Sequence, residues 1–334
     1  MARLRMPAEF EPHEGTVIAW PCREEIYPGP RMDEARDAHA QLAQAIAQFE
    51  PVWMIANPSD ADAAAARCGE GVTVVELAID DSWFRDSGPI YVFDGPQRIA
   101  LDFIFNGWGE KFEPWDRDDA ITRAWTHSMK HPVQHVPLVF EGGSITVDGM
   151  GTGATTTQCL MHPNRNPGLT QTEIEDQICD SLGLDAVIWL PYGLALDDDT
   201  DGHVDNVALF PRPGTLLLQG CDDRTEADWA RMNVNQRVAE GHPDAHGERI
   251  ETVVVPILPF IERDGERRAV PYLNLYVGNG FVVVPTCGHP ADAEMVALIA
   301  EQFPGRETFG LEIGAILAVG GGGIHCVTQQ IPAT

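Results

Sequence analysis

Short apolar runs, four to seven residues each, recur from one end of the chain to the other, and they constrain the fold more than any other feature. The runs are VIAW (17–20), VWMIA (52–56), VTVVELA (72–78), PIYVF (89–93), AVIWLP (186–191), TLLLQG (215–220), TVVVPIL (252–258) and GFVVVPT (280–286). Each is rich in Val or Ile and bounded by Gly, Pro or Asp, the pattern of buried strands. None approaches the ~18 consecutive apolar residues that a membrane-spanning helix needs. Between the runs lie segments with helical spacing. In 33–50, Leu42, Ile46 and Phe49 share a face, as a half-buried helix requires. In 170–182, Thr170 and Glu173 form a capping-box pattern, Ile174, Ile178 and Leu182 form a stripe, and Gly183 follows as a stop. Residues 225–240, 291–303 and the alanine-rich 59–67 read likewise. Each helix is followed by a strand, so the expected class is α/β. No repeat of fixed period appears, and the region 105–135, with Trp108, Trp115 and Trp125, reads as a loop-rich insertion. A single domain over 1–334 is expected.

The charge balance excludes one class of partner. With 22 Lys and Arg against 51 Asp and Glu, the formal net charge is −29. Such a surface repels phosphate backbones, so no nucleic acid is expected, while cationic small molecules are attracted. Solubility alone is the plainer meaning of the same charge. The seven cysteines are scattered, odd in number and contain no CxxC pair. That argues against a disulfide framework and a zinc knuckle. The opening stretch MARLRMPAEFEPHEG turns polar and Pro-bearing at once, unlike a signal peptide. A cytoplasmic protein with no membrane partner is the expectation.

Four constellations have chemical potential. GGGGIHCVTQQ (320–330) strips side chains from four positions and then presents His325 and Cys326 on an apparent strand. Strand neighbours face opposite sides, so a base for Cys326 would come from elsewhere; alternatively Cys326 is a packing residue, as most free cysteines are. LDDDTDGHVDN (196–206) concentrates five acids and one histidine in nine positions. Asp197 to Gly202 matches half a calcium loop, but the twelfth position is Ala208 rather than an acid. On an extended chain His203 and Asp205 would share a side, a poised acid/base beside a cation site; a solvated acidic loop is the alternative. SWFRDSGPI (82–90) brings Trp83 and Asp86 to a turn, a ring face and a counter-charge for a cation. VFEGGSITVDG (139–149) places Glu141 at a strand end before two glycines. No Walker loop, GxGxxG helix start or GxSxG elbow is present.

Taken together, these blocks resemble a known family. MPAEFEPHEGTVIAWP, DDSWFRDSGP (80–89), FNGWGEKFEPWDRDD (105–119), EGGSITVDGMGTGATTTQCLMHPNRNP (141–167), DGHVDN (201–206), YLNLYVGNGFVVVP (272–285) and GGGGIHCVTQQIP (320–332) are similar, in order, to the agmatine deiminases and bacterial peptidylarginine deiminases of the guanidine-modifying pentein superfamily. The resemblance implies a five-bladed, pseudo-symmetric α/β propeller with its active site in the central cavity. It implies Cys326 as nucleophile, His203 as acid/base, and Asp86, Glu141 and Asp205 as carboxylates around a guanidinium. It places Trp83 along the substrate channel and Asp199 near the substrate's tail, where the family often has Glu. Gly323 stands where the family usually has Asn, which bears on substrate binding. No metal or organic cofactor is implied, and a homodimer is an expectation. The reaction implied is hydrolysis of a small cationic guanidine, agmatine first, to a ureido product and ammonia. Another guanidine, amidino transfer, or guanidine binding without turnover would use the same residues.

Overall fold

A computed structural model describes residues 4–263 and 265–334. Local rules account for its helices. Gln171–Leu182 begins at Thr170, whose hydroxyl accepts from the Glu173 N–H while Glu173 accepts from the Thr170 N–H at 2.8 Å. It ends where Gly183 turns left-handed (φ 72°), and it buries Ile174, Ile178 and Leu182. The Thr170–Glu173 capping box satisfies N–H groups that the first helical turn leaves without partners.

Five sheets share one plan: an antiparallel pair followed by a parallel pair, with a helix crossing between the parallel strands. In chain order the central strand, crossover helix and parallel strand of each unit are as follows. The first unit is His13–Ala19, Pro30–Ile46 and Val52–Ala56; the second is Gln97–Ile104, Asp116–Met129 and Val133–Val139. The third is Thr152–Thr156, Gln171–Leu182 and Ala186–Leu190, and the fourth is Thr215–Gln219, Ala227–Ala239 and Glu251–Val255. The fifth is Phe281–Pro285, Asp292–Gln302 and Glu307–Leu311. The antiparallel partners of units two to five, Ile90–Asp94, Thr146–Val147, Ala208–Arg212 and Tyr276–Gly278, immediately precede their central strands. The first unit differs: its antiparallel partner is Thr328–Pro332, from the far end of the chain. A two-stranded hairpin, Phe260–Arg263 with Glu266–Ala269, stands apart from the five sheets.

Six of the eight apolar runs read from sequence are strands within two residues of the expected bounds; the strand of run 17–20 begins four residues earlier, at His13, and that of run 252–258 ends three residues earlier, at Val255, and the α/β class holds. The region 105–135 is a correction. It contains the 14-residue helix Asp116–Met129, with Asp116, Asp118 and Asp119 in its first turn and Ile121 and Trp125 buried. Acids at the helix start complement its dipole, a signal that the tryptophan-rich, apparently aperiodic composition masked. Among the described residues no helix is long and apolar enough to cross a membrane.

Pairing of the C-terminal strand with the first unit places Ile331 in a core with Val17, Ile55 and Trp125. Ile331→Ala should destabilise the fold by about 2–4 kcal/mol in urea unfolding, from lost burial and the cavity left behind. Val133→Ala, at a residue 48% exposed, should shift the midpoint far less.

Candidate active site

In every unit the antiparallel partner strand is approached through a short turn, and those five turns carry the polar residues. They are Phe84–Ser87, Gly142–Ser144, Val204–Asn206, residues 271–274 and Ile324–Val327. Several lie directly against one another, so residues distant in sequence meet. Their convergence is tight at Gly143. A Cβ there would sit 2.8 Å from Asp86 Oδ1 and 3.0 Å from Asp205 Oδ2, and would overlap His203 Nδ1. Only glycine lets the three groups close on one point.

Cys326 lies within this group, 2% exposed. Its sulfur is 3.5 Å from Asp205 Oδ2 and receives a hydrogen bond of 3.1 Å from the Asn274 amide. Burial raises the thiol's pKa well above its ordinary value, and the negative charges of Asp205 and Asp86 raise it further, against N–H donation from Gly323 and Asn274. The thiol is therefore protonated at neutral pH unless a cation joins it.

His203 is fully buried, with Nδ1 3.7 Å from Asp86 Oδ1 and Nε2 4.0 Å from Glu141 Oε2. Burial disfavours its charged form, but Asp86, Cys159 and Glu141 outweigh that and lift its pKa well above the usual value. Asp86 accepts from the Trp108 indole N–H and the Gly143 N–H, both at 2.9 Å, and burial raises its pKa despite the field of His203. Trp108 reaches it from a left-handed backbone (φ 55°), a conformation that costs a bulky residue on the order of 1 kcal/mol.

The remaining acids are matched by cations. Arg165 bonds Glu141 at 2.6 Å and Asp201 at 2.8 Å with both partners deep in the fold. His325 bridges Asp205 at 2.9 Å and Glu9 at 2.8 Å, and Arg85 reaches Glu9 at 3.1 Å. Burial would raise the Asp205 carboxyl, yet the His325 contact holds it below its ordinary value. Glu9 is likewise pushed up by burial but held down to about 2 by His325 and Arg85. Ligand atoms of Glu141, Cys159 and His203 lie within 4.8 Å of one another. The guanidinium of Arg165 on Glu141 already supplies positive charge there, which opposes a metal cation.

Within this group, four buried polar atoms have no protein hydrogen-bond partner: Glu141 Oε2, Asp205 Oδ1 and both ring nitrogens of His203. A cavity connects this group outward. Its walls include Cys326, Asp86, Trp83, Trp108 and Phe112, and it reaches Asp199 and Thr200.

The model of the Porphyromonas-type peptidyl-arginine deiminase family matches residues 5–332. The chain belongs to this family. It is 40% identical to the agmatine deiminase of Pseudomonas aeruginosa (strain UCBPP-PA14) over 99% of this chain and 96% of that one. It is 37% identical to that of Medicago truncatula, with the same coverage of both. The solved structure of the agmatine deiminase of Enterococcus faecalis superposes with a TM-score of 0.94 at 29% identity, covering 98% of this chain and 96% of that one.

Of the residues singled out from sequence, Cys326, Asp86, Trp83 and Asp199 line the cavity of this peptidyl-arginine deiminase family member. His203, Glu141 and Asp205 are not among its walls but adjoin them: His203 lies beside Asp86, Glu141 beside His203, and Asp205 beside Cys326. Gly323 does not line the cavity; it packs against Asn274. Two geometric expectations need correction. His325 and Cys326 are on a single helical turn, Ile324–Val327, and the strand begins only at Thr328. Asp205 sits in a 3-10 turn, and its carboxylate bonds His325 rather than His203. In both cases the tight turn between units replaces extended chain. Trp108, Arg165, Asn274 and His325 were not assigned a role from sequence. Arg165 lies in the conspicuous NRNP stretch, and a buried cation was the missing complement to so many acids.

Arg165→Met leaves Glu141 and Asp201 without their cation and should cost about 3–5 kcal/mol in chemical unfolding. Acid titration offers a second check. Glu9 has a lower pKa folded than unfolded, so it contributes stability above pH 4.5 that is lost as pH falls toward 2. Thermal unfolding from pH 5 to 2 should be less pH-sensitive in Glu9→Gln than in the parent.

Proposed function

We propose that this protein is a deiminase that hydrolyses the guanidine group of agmatine to a ureido group and ammonia, acting in the cytoplasm as a five-bladed α/β propeller around the pocket. The recurrence of one strand–helix plan five times, and the pairing of the last strand with the first unit, support the propeller. One observation carries the activity: a buried thiol, an imidazole and three acids that leave two carboxylate oxygens without a donor. A guanidinium is planar, permanently charged and forked with N–H groups, the complement of that set.

Glu141 Oε2 and Asp205 Oδ1 accept N–H groups of the substrate, and Asp86 adds counter-charge, which fixes the guanidinium carbon before Cys326. The incoming cation offsets the acids that hold the thiol protonated, so binding itself favours the thiolate. The sulfur forms a C–S bond, and the tetrahedral adduct expels one nitrogen as ammonia, with His203 supplying the proton. Cleavage of that C–N bond leaves a thiouronium on Cys326. His203 then takes a proton from water, the hydroxyl adds to the same carbon, and the C–S bond breaks to return the thiol and release the ureido product.

The channel favours agmatine among guanidines. Trp83, Trp108 and Phe112 offer apolar walls for a methylene chain, and Asp199 at the far end matches a second cation. Burial raises the Asp199 carboxyl somewhat, with Arg268 and Lys111 opposing. A substrate ending in a carboxylate would meet that acid instead.

Purified protein should release ammonia from agmatine and yield N-carbamoylputrescine. Cys326→Ser should abolish turnover, and His203→Ala should lower kcat by about 10²–10⁴. Asp199→Ala should raise KM for agmatine more than for an alkylguanidine without a terminal amine. No ammonia from agmatine, arginine or related guanidines would sink the proposal.

A further inference from the structure

Asn274 has no part in the reaction outlined above, yet it touches the reacting sulfur and is fully buried. Its amide makes five hydrogen bonds, in one of which the Cys326 thiol donates to Oδ1 at 3.5 Å. Oδ1 accepts from the backbone N–H groups of His325 at 2.9 Å and Cys326 at 3.3 Å. Nδ2 donates to Asn206 Oδ1 at 2.9 Å and to Cys326 Sγ at 3.1 Å.

The direction of that last bond is enforced from a distance. Asp197 accepts from the Asn206 side chain at 3.1 Å, and also from the Thr200 N–H at 3.0 Å and the His203 N–H at 3.2 Å. A carboxylate flanked by donors is acceptor-only, so the amide of Asn206 must present its NH₂ to Asp197 and its oxygen to Asn274. Asn274 must then give that oxygen an N–H. Its own oxygen is already fixed by two backbone donors, so flipping the amide would set NH₂ against two N–H groups. The one remaining N–H of Asn274 has a single direction, toward sulfur.

Space for this arrangement comes from Gly323. A Cβ at that position would lie 2.7 Å from Asn274 Cγ and overlap Oδ1. Gly323 has an ordinary extended backbone (φ −142°), so its glycine is explained by this close approach and not by conformation.

We infer that Asn274 is a catalytic hydrogen-bond donor to the Cys326 sulfur, held in that direction by Asn206 and Asp197 and given room by Gly323. The inference rests on reading Cys326 as the nucleophile. The donor stabilises the sulfur's negative charge as the proton leaves and pins the turn that carries it; a preorganised donor of this kind stabilises developing charge without reorganising.

The test is the rate at which iodoacetamide alkylates Cys326 between pH 7 and 9, followed on the Cys326 peptide by mass spectrometry. This reaction replaces the S–H bond with an S–C bond, releases iodide and a proton, and needs no guanidine, so it reads the sulfur whether or not agmatine is the substrate. Asn274→Ala should slow alkylation about tenfold across this range, the effect of a thiol titrating about one pH unit higher. Asn274→Asp, which replaces the donor by a carboxylate, should slow it further. Gly323→Ala, which displaces the amide without altering it, should reproduce the Asn274→Ala rate and covers the case in which that variant does not fold. Rates within threefold of the parent in the variants that keep the parent's unfolding temperature would overturn the inference, as would faster alkylation. With agmatine, kcat/KM should fall by about the same factor.

Discussion

Everything in this site follows from placing buried carboxylates next to a buried sulfur. Like charges so close are tolerated only when each is matched or protonated. The protein solves this unevenly. Arg165 holds Glu141 and Asp201, while His325 and Arg85 hold Asp205 and Glu9. Asp86 instead has neutral donors, Trp108 and Gly143, and the nearby imidazole of His203. The two carboxylates that raise the thiol's pKa are therefore tuned in opposite directions, Asp205 down and Asp86 up. In the proposed reaction the acids that suppress the thiolate are those that grip the planar cation, so binding and activation of the nucleophile are one event.

That arrangement depends on architecture more than on any one strand. A parallel pair needs a crossover, and among the described residues a helix supplies it six times, once in each unit and once more in the first, where Ala61–Cys68 leads from Val52–Ala56 to the added parallel strand Val72–Glu76. Each crossover carries the chain away from the site, and the next short turn brings it back. The turns hold the chemistry because there backbone from several units comes close. The price is tight packing between turns, visible at Gly143 and Gly323, where one methyl group would displace site residues.

How much of this was legible in sequence varied with the physical signal. Strands 52–56, 215–219 and 281–285 were readable because a fully buried strand needs an unbroken apolar run, and the helix at 171–182 because its cap residues, stripe and stop all agree. The helix Asp116–Met129 was missed because its buried face mixes Thr122 and Thr126 with Ile121 and Trp125, which breaks the apolar period. Cys326, His203, Asp86 and Glu141 were legible through a family resemblance spread over many blocks, and composition alone left each a plausible packing or surface residue. The helical turn at Ile324–Val327 was not legible, since four residues are too few for any period. Asn274 was hidden for another reason: nothing in YLNLYV distinguishes a buried asparagine that bonds sulfur from one that bonds only backbone.

The acidic loop 196–206 illustrates how a motif can be misread in kind and still mark the right place. Its Asp-x-Asp-x-Asp-Gly pattern is calcium-like, and Asp197 does act as an acceptor hub, but for the Thr200 and His203 N–H groups and the Asn206 amide. Asp201 turns to Arg165 and Lys111, Asp199 faces the channel, and Asp205 faces the sulfur. Divergent directions are what a turn imposes on neighbouring side chains, whereas a cation loop must converge them. Clustered acids in sequence thus become four separate tasks in space: a structural hub, a buried ion pair, a channel wall and a neighbour of the nucleophile. The net charge of −29 sets none of these assignments, which follow from where each carboxylate finds a donor.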